Sequence, residues 1–258
     1  MDFLHILLLA AAGMLGGILA AVVGGASLIT YPALIASGIH PIAAAICTNT
    51  SLVPSNFIAA MADRTQLPPL NRAFAGLIVA SVIGAGLGAM LLLMTPARLF
   101  EFMVPMLLGF ATVMFALSDR IARWLRERAA RRGDTIQFSV TNLKLILPVS
   151  FYGGYFGSGV GILMLGVLSV ATGGNYRAAN VAKNLVSSLN TLVAACIYAA
   201  QGAVLWPQTL ALCIGTVAGG LIGSWIARIL PRQVMRIMVV GLGTALTLAF
   251  VYRYWLTV

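Results

Sequence analysis

Polar side chains recur at two places in a chain that is otherwise apolar. They belong to Thr48, Asn49, Ser51, Lys183, Asn184 and Ser187. Within each group, positions three or four apart would share one face of a helix. Hydroxyl and amide groups donate hydrogen bonds and a lysine adds positive charge, so both groups suit a small anion. The spacing predicts two substrate-binding faces, and hydrogen bonding between packed helices is the alternative.

Lys183 is the one charge that lies well inside a predicted span. It comes six residues after Arg177, which places it roughly 9 Å deeper at about 1.5 Å per residue. In one interpretation, Lys183 attracts anions into a cytoplasmic vestibule. In the other, its long side chain extends back to the membrane surface and keeps the charge in water.

Glycines interrupt two apolar segments, each of which comes shortly before one of the polar groups. The interrupting residues are Gly24 and Gly25 in the first segment and Gly157, Gly159 and Gly161 in the second. If the chain unwinds there, the helix that follows begins near the middle of the membrane and presents free N–H groups and a positive dipole end. We therefore predict an anion site held by the N–H groups of Gly25 and Gly161. Close packing of helices on small residues is the alternative.

The two segments belong to two copies of one unit. At one constant separation, Gly25 aligns with Gly161 and Ser51 aligns with Ser187. A second match aligns Gly84 and Phe115 with Gly219 and Phe250, respectively, at nearly the same separation. We predict a first repeat over residues 1–117, a basic cytoplasmic linker over 118–141 and a second repeat over 142–258. In membrane transporters, matching glycine-broken segments in two halves point to the substrate site.

The composition indicates that most of the chain is surrounded by membrane lipid. Hydrophobic residues make up 60% of the 258 residues, charged residues make up 9%, and the mean hydropathy is +0.99. Long apolar runs without alternation predict an all-α membrane bundle, because a helix pairs its own backbone groups. The predicted membrane helices are Phe3 to Val23, Pro41 to Met61, Ala73 to Met94, Pro96 to Leu117, Ala178 to Ala200, Pro207 to Ile229 and Gln233 to Trp255, with Ala26 to Ser37 and the two halves of Leu143 to Thr172 as shorter pieces.

The basic residues predict how the chain crosses the membrane. The net charge is +10, but the excess is concentrated in and beside the central linker, so it indicates orientation and not nucleic-acid binding. Cytoplasmic loops carry the excess of Lys and Arg, which puts the linker inside the cell and both termini in the periplasm. Each repeat is then a glycine-broken helical hairpin plus three transmembrane helices. Because three crossings is an odd number, the two repeats would be inverted.

The remaining chemistry-bearing residues favour an anion carrier. The six acidic residues all fall at termini, in loops or at span ends, whereas proton pumps and cation channels normally need a carboxylate inside the membrane. The three cysteines lack metal-binding spacing, so no metal or cofactor is predicted. His5 and His40 lie near span ends and cannot be grouped with a nucleophile and a carboxylate, so an enzyme is not predicted.

Both repeats resemble the TauE/SafE family of sulfite and organosulfonate exporters, also called the 4-toluene sulfonate uptake permease family. The carrying segments are GGILAAVVGGASLITYPALIASGIHPIAAAICTNTS and GGYFGSGVGILMLGVLSVATGGNYRAANVAKNLVSSLN. The resemblance implies a bacterial inner-membrane protein that moves sulfur-containing anions, usually outward. An importer of sulfate, thiosulfate or another small anion, and an anion channel, stay open as alternatives. A homodimer also stays open.

Overall fold

The computed structural model describes residues 3–22, 25–62, 64–130, 140–172, 175–226 and 232–256. Within these ranges the regular secondary structure is helical throughout, as expected for an all-α bundle. The helices are α1 Phe3–Val22, α2 Ser27–Ala36, α3 Pro41–Ser51, α4 Val53–Ala62, α5 Arg72–Met94, α6 Ala97–Ala130, α7 Val140–Tyr155, α8 Val160–Ala171, α9 Tyr176–Ala200, α10 Trp206–Ile226 and α11 Arg232–Val251. A short 3₁₀ turn covers Arg64–Gln66, and a π-helical turn, Tyr252–Leu256, ends the described chain.

Several helices are suited to a membrane. By length and composition, four described segments could cross one: Pro41–Ala62, Arg72–Met94, Ala97–Met114 and Arg177–Ala200. The shorter apolar helical segments are Leu4–Ala20, Ser27–Ala36, Val160–Ser169 and Trp206–Ile222. Two of the long helices begin at asparagine caps, where Asn71 Oδ1 accepts from Phe74 N at 2.8 Å and Asn175 Oδ1 from Ala178 N at 3.2 Å. Such a set of apolar helices is that of a multi-pass membrane bundle.

The span predicted from Pro41 to Met61 is present but is not one continuous helix. Leu52 separates α3 from α4. Pro54 explains the interruption, because proline lacks the N–H that would bond to the carbonyl four residues earlier, and its ring collides with that carbonyl. The predicted span is therefore divided between two short helices.

Helix α6 is longer than its predicted span from Pro96 to Leu117. Its 34 residues reach Ala130, which corresponds to about 51 Å at ~1.5 Å per residue. A hydrocarbon layer of about 30 Å cannot contain that length. The last turns, with the exposed Arg120 and Arg123, therefore lie beyond the hydrophobic part of the helix.

Helices of the two repeats pack in a crossed pattern. Helix α1 lies along α10, and α7 lies along α5. Glycines allow each close approach: Gly13 of α1 faces Leu212, and Gly88 of α5 faces Phe151 and Tyr155. In both pairs the residue numbers in contact rise together, so the paired helices run in the same direction.

Helices α6 and α11, the last of each repeat, run in opposite directions. Phe102 stacks on Trp255, with ring centroids 5.5 Å apart, near the beginning of α6 and the end of the chain. Further along α6, Thr112 meets Gly243, which lies nearer the beginning of α11. The contacting residue numbers therefore rise on α6 as they fall on α11.

The buried core has one large and one small part. The large part draws on both repeats and contains six aromatic side chains: Tyr31, Phe100, Tyr155, Phe156, Tyr198 and Phe250. We call these six residues the aromatic cluster. The small part lies between α5, α7, α8 and α9 and includes Phe74, Met164 and Val186.

Candidate functional site

The two chain breaks predicted from glycine meet each other inside the bundle. One break lies between α1 and α2, and the other between α7 and α8. Ser27, the first residue of α2, donates from Oγ to Ser158 Oγ in the second break at 3.1 Å. Both serines are buried, with 4% and 1% of their surface exposed. Neither was among the predicted site residues, although both lie beside the glycines that indicated the breaks.

Glycine backbone geometry produces the second break. Gly157 and Gly159 have φ angles of +78° and +77°, which side chains strongly disfavour. The N–H groups of Phe156 and Gly157 both bond to Tyr152 O, at 2.9 and 3.3 Å, and this closes the end of α7. The Tyr152 hydroxyl then donates to Ser158 O at 2.7 Å. The turn is held by its own chain, so Ser158 is presented in a fixed position.

Asn49 joins the first repeat to the second break. Its amide Nδ2 donates to Gly153 O at 3.4 Å, and its side chain lies against Gly157, where a Cβ atom would overlap Asn49 Oδ1. Asn49 is 1% exposed. Tyr198 of α9 anchors the same stretch of α7 by donating to Gly154 O at 2.6 Å. One of the predicted polar residues therefore contacts a predicted chain break directly.

The predicted glycines fall at different places around the breaks. Gly25 is buried in the first break, and its carbonyl accepts from Leu28 N at 3.1 Å. Gly24 lies outside the described residues. Gly159 packs on Ala111 of α6. Gly161 was expected to interrupt the second segment but lies in the first turn of α8.

The beginning of α8 could present N–H groups. Its first turn bond runs from Ile162 N to Gly159 O at 3.2 Å. The first N–H groups of any helix have no acceptor within that helix, which applies to Val160 and Gly161 here. The predicted role of Gly161 as an N–H donor is therefore compatible with its position, although it does not lie in the break itself.

Two predicted hydroxyl groups are buried and unpartnered in the described part of the chain. Thr48 Oγ1 and Ser187 Oγ have no hydrogen-bond partner there, and the residues are 1% and 7% exposed. Ser51, by contrast, uses its hydroxyl locally, donating to Thr48 O at 2.9 Å. Its carbonyl accepts from Thr216 Oγ1 of α10 at 3.2 Å. Thr48 and Ser187 thus keep donor capacity, whereas the hydroxyl of Ser51 closes the end of α3.

The second polar group lies on α9. Asn184 is 9% exposed, and Lys183 is half-buried one turn before Ser187. Within the described ranges, no hydrogen bond links these three residues to either break. Helices α3 and α9 do contact each other, so the two polar groups lie on neighbouring elements.

In the described part of the chain, no acidic or metal-binding side chain bonds to the predicted site residues. Glu101 pairs with His40 at 3.3 Å, between the start of α3 and α6, and both side chains are partly exposed. No three His, Cys, Asp or Glu residues of the described ranges group in a way that could hold a metal ion. The groups that surround the meeting point of the breaks are hydroxyls, amides and aromatic rings.

Comparison with known proteins decides the family. The sequence matches the family described as Sulfite exporter TauE/SafE over residues 9–250. The chain belongs to this family. A probable membrane transporter protein of Haemophilus influenzae is 24% identical over 242 residues, covering 93% of this chain and 92% of that protein. The probable membrane transporter protein ORF9 of a Sinorhizobium species is 27% identical over 254 residues, covering 92% and 88%.

A third relative has similar coverage. The probable membrane transporter protein YfcA of Escherichia coli K12 is 23% identical over 240 residues, covering 93% of this chain and 87% of YfcA. No solved structure matches the chain at a significant level. Membership of the TauE/SafE family and these apolar helices together establish a multi-pass membrane transporter, and the predicted resemblance is confirmed.

Proposed function

We propose that this TauE/SafE protein exports sulfur-containing anions, such as sulfite or an organosulfonate like sulfoacetate, by alternating access. The observation that carries the proposal is the contact between the two chain breaks. Ser27 and Ser158 touch there, and Asn49 lies against the second break. The predicted anion site between the hairpins therefore corresponds to one buried place, to which both halves of the chain contribute.

The chemistry of that place suits an oxyanion. Hydroxyl groups donate to sulfonate oxygens, and Ser27 and Ser158 would each turn from the other to an anion lying between them. Thr48 of α3 is a further proposed donor, because its buried hydroxyl has no partner among the described residues. The N–H groups at the start of α8 add donors and a positive dipole end. Gly25, Asn184 and Lys183 remain proposed members of the site, supported by their positions in the first break and on α9.

An inverted arrangement of the repeats is part of the proposal. Helices α6 and α11 occupy corresponding places in the two repeats and run in opposite directions. Helix α1 corresponds to α7, and α5 corresponds to α10. Exchanging the two repeats therefore turns the α1–α10 pair into the α7–α5 pair. Both features are expected when a two-fold axis in the membrane plane relates the repeats. Inverted repeats provide two related conformations that open to opposite sides.

The aromatic cluster is proposed to close the site on the periplasmic side. Tyr31 lies one turn along α2 from Ser27 and meets Phe156 edge-on, with ring centroids 5.3 Å apart. Phe100 and Phe250 pack beside them, at 6.3 Å from Phe156 and Tyr31 respectively. The repeat equivalents of Tyr31 and Phe156 are Val167 and Ala20, so this ring pair has no counterpart on the other side, although Phe250 corresponds to Phe115. The asymmetry favours a resting state that opens toward the cytoplasm and loads anions there.

The basic residues support the proposed orientation of the protein in a bacterial inner membrane. The arginine-rich end of α6 lies on the cytoplasmic side, and both termini lie on the periplasmic side. In that orientation the membrane potential drives anions outward. Export of each negative charge is favoured by a free energy of about 2.3 kcal/mol per 100 mV of membrane potential, so export needs no coupled ion. The proposal accordingly places no cation-binding carboxylate in the transport site.

Counterflow in proteoliposomes tests the proposed substrate class. Vesicles are loaded with unlabelled sulfite, sulfoacetate, taurine or sulfate, and entry of the labelled form of the same compound is followed. We expect saturable exchange of sulfite or sulfoacetate, faster when the membrane potential drives anion exit. Exchange of none of the four compounds would show that the substrate class is wrong. Non-saturating currents would identify a channel, and uptake driven by an ion gradient would identify an importer.

A further inference from the structure

We infer that the side-chain amide of Asn190 forms an oxyanion subsite on α9 together with Ser187, and that Ser81 and Ser150 orient this amide. The inference rests on the proposed function, because it assumes that the transported ligand is an anion. Asn190 belongs to neither predicted polar group. It is buried, with 5% of its surface exposed, at a place where α5, α7 and α9 meet.

A chain of three buried polar side chains fixes the amide. Ser81 of α5 donates from Oγ to Asn190 Oδ1 at 2.8 Å, and Ser81 and Ser150 Oγ lie 2.7 Å apart. A serine hydroxyl has one proton. Because Ser81 donates its proton to Asn190, Ser150 is the donor in the serine pair. Both serines are fully buried. The amide oxygen is therefore turned toward Ser81, which leaves the NH₂ group to face a ligand.

The donor end of that amide is unpartnered. Asn190 Nδ2 is buried and has no hydrogen-bond partner within the described part of the chain, and the same holds for Ser187 Oγ. Buried donors are ordinarily paired, because desolvating one without a partner is costly. Ser187 precedes Asn190 by one turn on the same face of α9, and Lys183 lies a further turn back. An oxyanion, which has several acceptor oxygens, satisfies such a row of donors.

A purely structural role, joining two helices by a hydrogen bond, does not explain the side-chain amide of Asn190. Ser81 corresponds in the other repeat to Thr216, and Asn190 corresponds to Pro54, at the separations that align Gly84 with Gly219 and Ser51 with Ser187. Thr216 pins its helix by donating to the Ser51 carbonyl at 3.2 Å. That contact leaves no buried donor behind. In the second repeat, Asn190 likewise joins its helix to a neighbour by accepting from Ser81, but its NH₂ group has no partner in the described part of the chain. That NH₂ group is the part that recognises a ligand.

The position of the subsite suits an anion on its way to the breaks. On each of three helices the polar residue precedes a residue of the large core: Ser81 precedes Leu92, Ser150 precedes Tyr155, and Asn190 precedes Tyr198. Ser81 meets Asn190, and Gly86 meets Ile197 further along both helices, so α9 runs in the same direction as α5 and α7. The subsite therefore lies on the opposite side of the second break from the aromatic cluster. In the proposed orientation this is the cytoplasmic side, so an outgoing anion meets Asn190 before it reaches Ser27 and Ser158.

The test compares matched variants in sulfite counterflow and in sulfite-dependent thermal stabilisation of purified protein. Asn190→Asp keeps the oxygen that accepts from Ser81 and replaces the donor with an acceptor, so we expect the KM for sulfite to rise at least about 10-fold. Ser81→Ala should raise KM by about 3- to 10-fold, and Ser81→Thr, which keeps the hydroxyl, should restore it. Thr191→Val is the control, because in the described part of the chain the Thr191 hydroxyl bonds to carbonyls of its own helix, Ser187 O and Ser188 O.

The outcomes separate this inference from the proposed function. A wild-type KM for sulfite in both Asn190→Asp and Ser81→Ala would overturn the inference and leave anion transport intact. Lower melting temperatures with unchanged KM would also overturn it, since they indicate a purely structural pin. Absence of sulfite exchange and of stabilisation in the wild type would overturn both. If Asn190→Asp does not elute as folded protein, the Ser81→Ala and Ser81→Thr pair decides the question.

Discussion

Asn49 is the residue at which the two repeats depend on each other most directly. It belongs to α3, yet its amide bonds to the carbonyl of Gly153 and its side chain covers Gly157. An amide can donate to a backbone carbonyl and to an anion at once, because its NH₂ group has two protons. Asn49 therefore supports the break and, in the proposed function, donates to the substrate as well.

Replacing Asn49 with leucine should impair transport more than stability. Asn49→Leu keeps a similar volume but removes both protons, which should cost about 1–3 kcal/mol through the unpaired Gly153 carbonyl. We expect the sulfite KM to rise about 10-fold or more, because a ligand donor is lost as well. Asn56→Leu, at a half-buried position of α4 beyond the Leu52 break, is the control. Equal KM values in the two variants would remove Asn49 from the site.

Much of this residue-level arrangement could not be predicted from sequence. Glycine spacing indicated where both breaks lie, and in the second break Gly157 has a positive φ that only glycine readily adopts. The contact of Ser27 with Ser158 joins residues far apart in the chain and depends on how the repeats pack. Asn190 was missed for a related reason, because whether an amide is paired depends on neighbours such as Ser81 that periodicity does not reveal.

At the scale of helices, the break between α7 and α8 is the element on which the site depends. Its left-handed residues bring the chain round so that α8 begins beside Ser158. Gly202 offers a comparison, because it has a φ of +65° at the end of α9 but open space where a Cβ atom would lie. The two glycines share the backbone requirement and differ in what surrounds them.

Gly157→Ala and Gly202→Ala should therefore have different effects. Each substitution introduces backbone strain of roughly 1–2 kcal/mol, which should lower the melting temperature of both variants. Only at Gly157 does the new methyl group overlap Asn49, so only Gly157→Ala should also abolish sulfite counterflow. Transport by Gly157→Ala at the rate of Gly202→Ala would mean that the geometry of this break does not matter to the substrate.

The third helical segment differs between the repeats. Pro54 divides it into α3 and α4, whereas α9 is continuous through the corresponding position, Asn190. Composition and length were sufficient to predict the span from Pro41. The division at Leu52 depends on one residue, Pro54, whose effect on the helix is not visible in the apolar pattern. The two repeats are thus similar in sequence pattern but differ in whether this helix is continuous.

For the whole molecule, alternating access requires the contact between the two breaks to open. In the proposed mechanism the aromatic cluster and the Ser27–Ser158 bond close one end of the pathway, and an anion that passes through separates Tyr31 from Phe156. Motion of one hairpin against the other achieves this without unfolding either, because each break is held mainly by bonds within its own hairpin. A covalent link between the breaks should therefore stop transport.

A reversible disulfide tests this requirement. Ser27→Cys and Ser158→Cys are combined in a background that lacks Cys47, Cys196 and Cys213, which are unpaired in the native chain. The present Oγ separation of 3.1 Å brings the side chains within reach of a disulfide after a small rotation. Oxidation should abolish sulfite counterflow, and reduction with dithiothreitol should restore the rate of the reduced protein. Each single cysteine variant controls for loss of the hydroxyl, because it should respond to neither treatment. Undiminished exchange by the oxidised double variant, with the disulfide verified by mass spectrometry, would mean that the substrate passes without separating the breaks and would place the pathway elsewhere in the bundle.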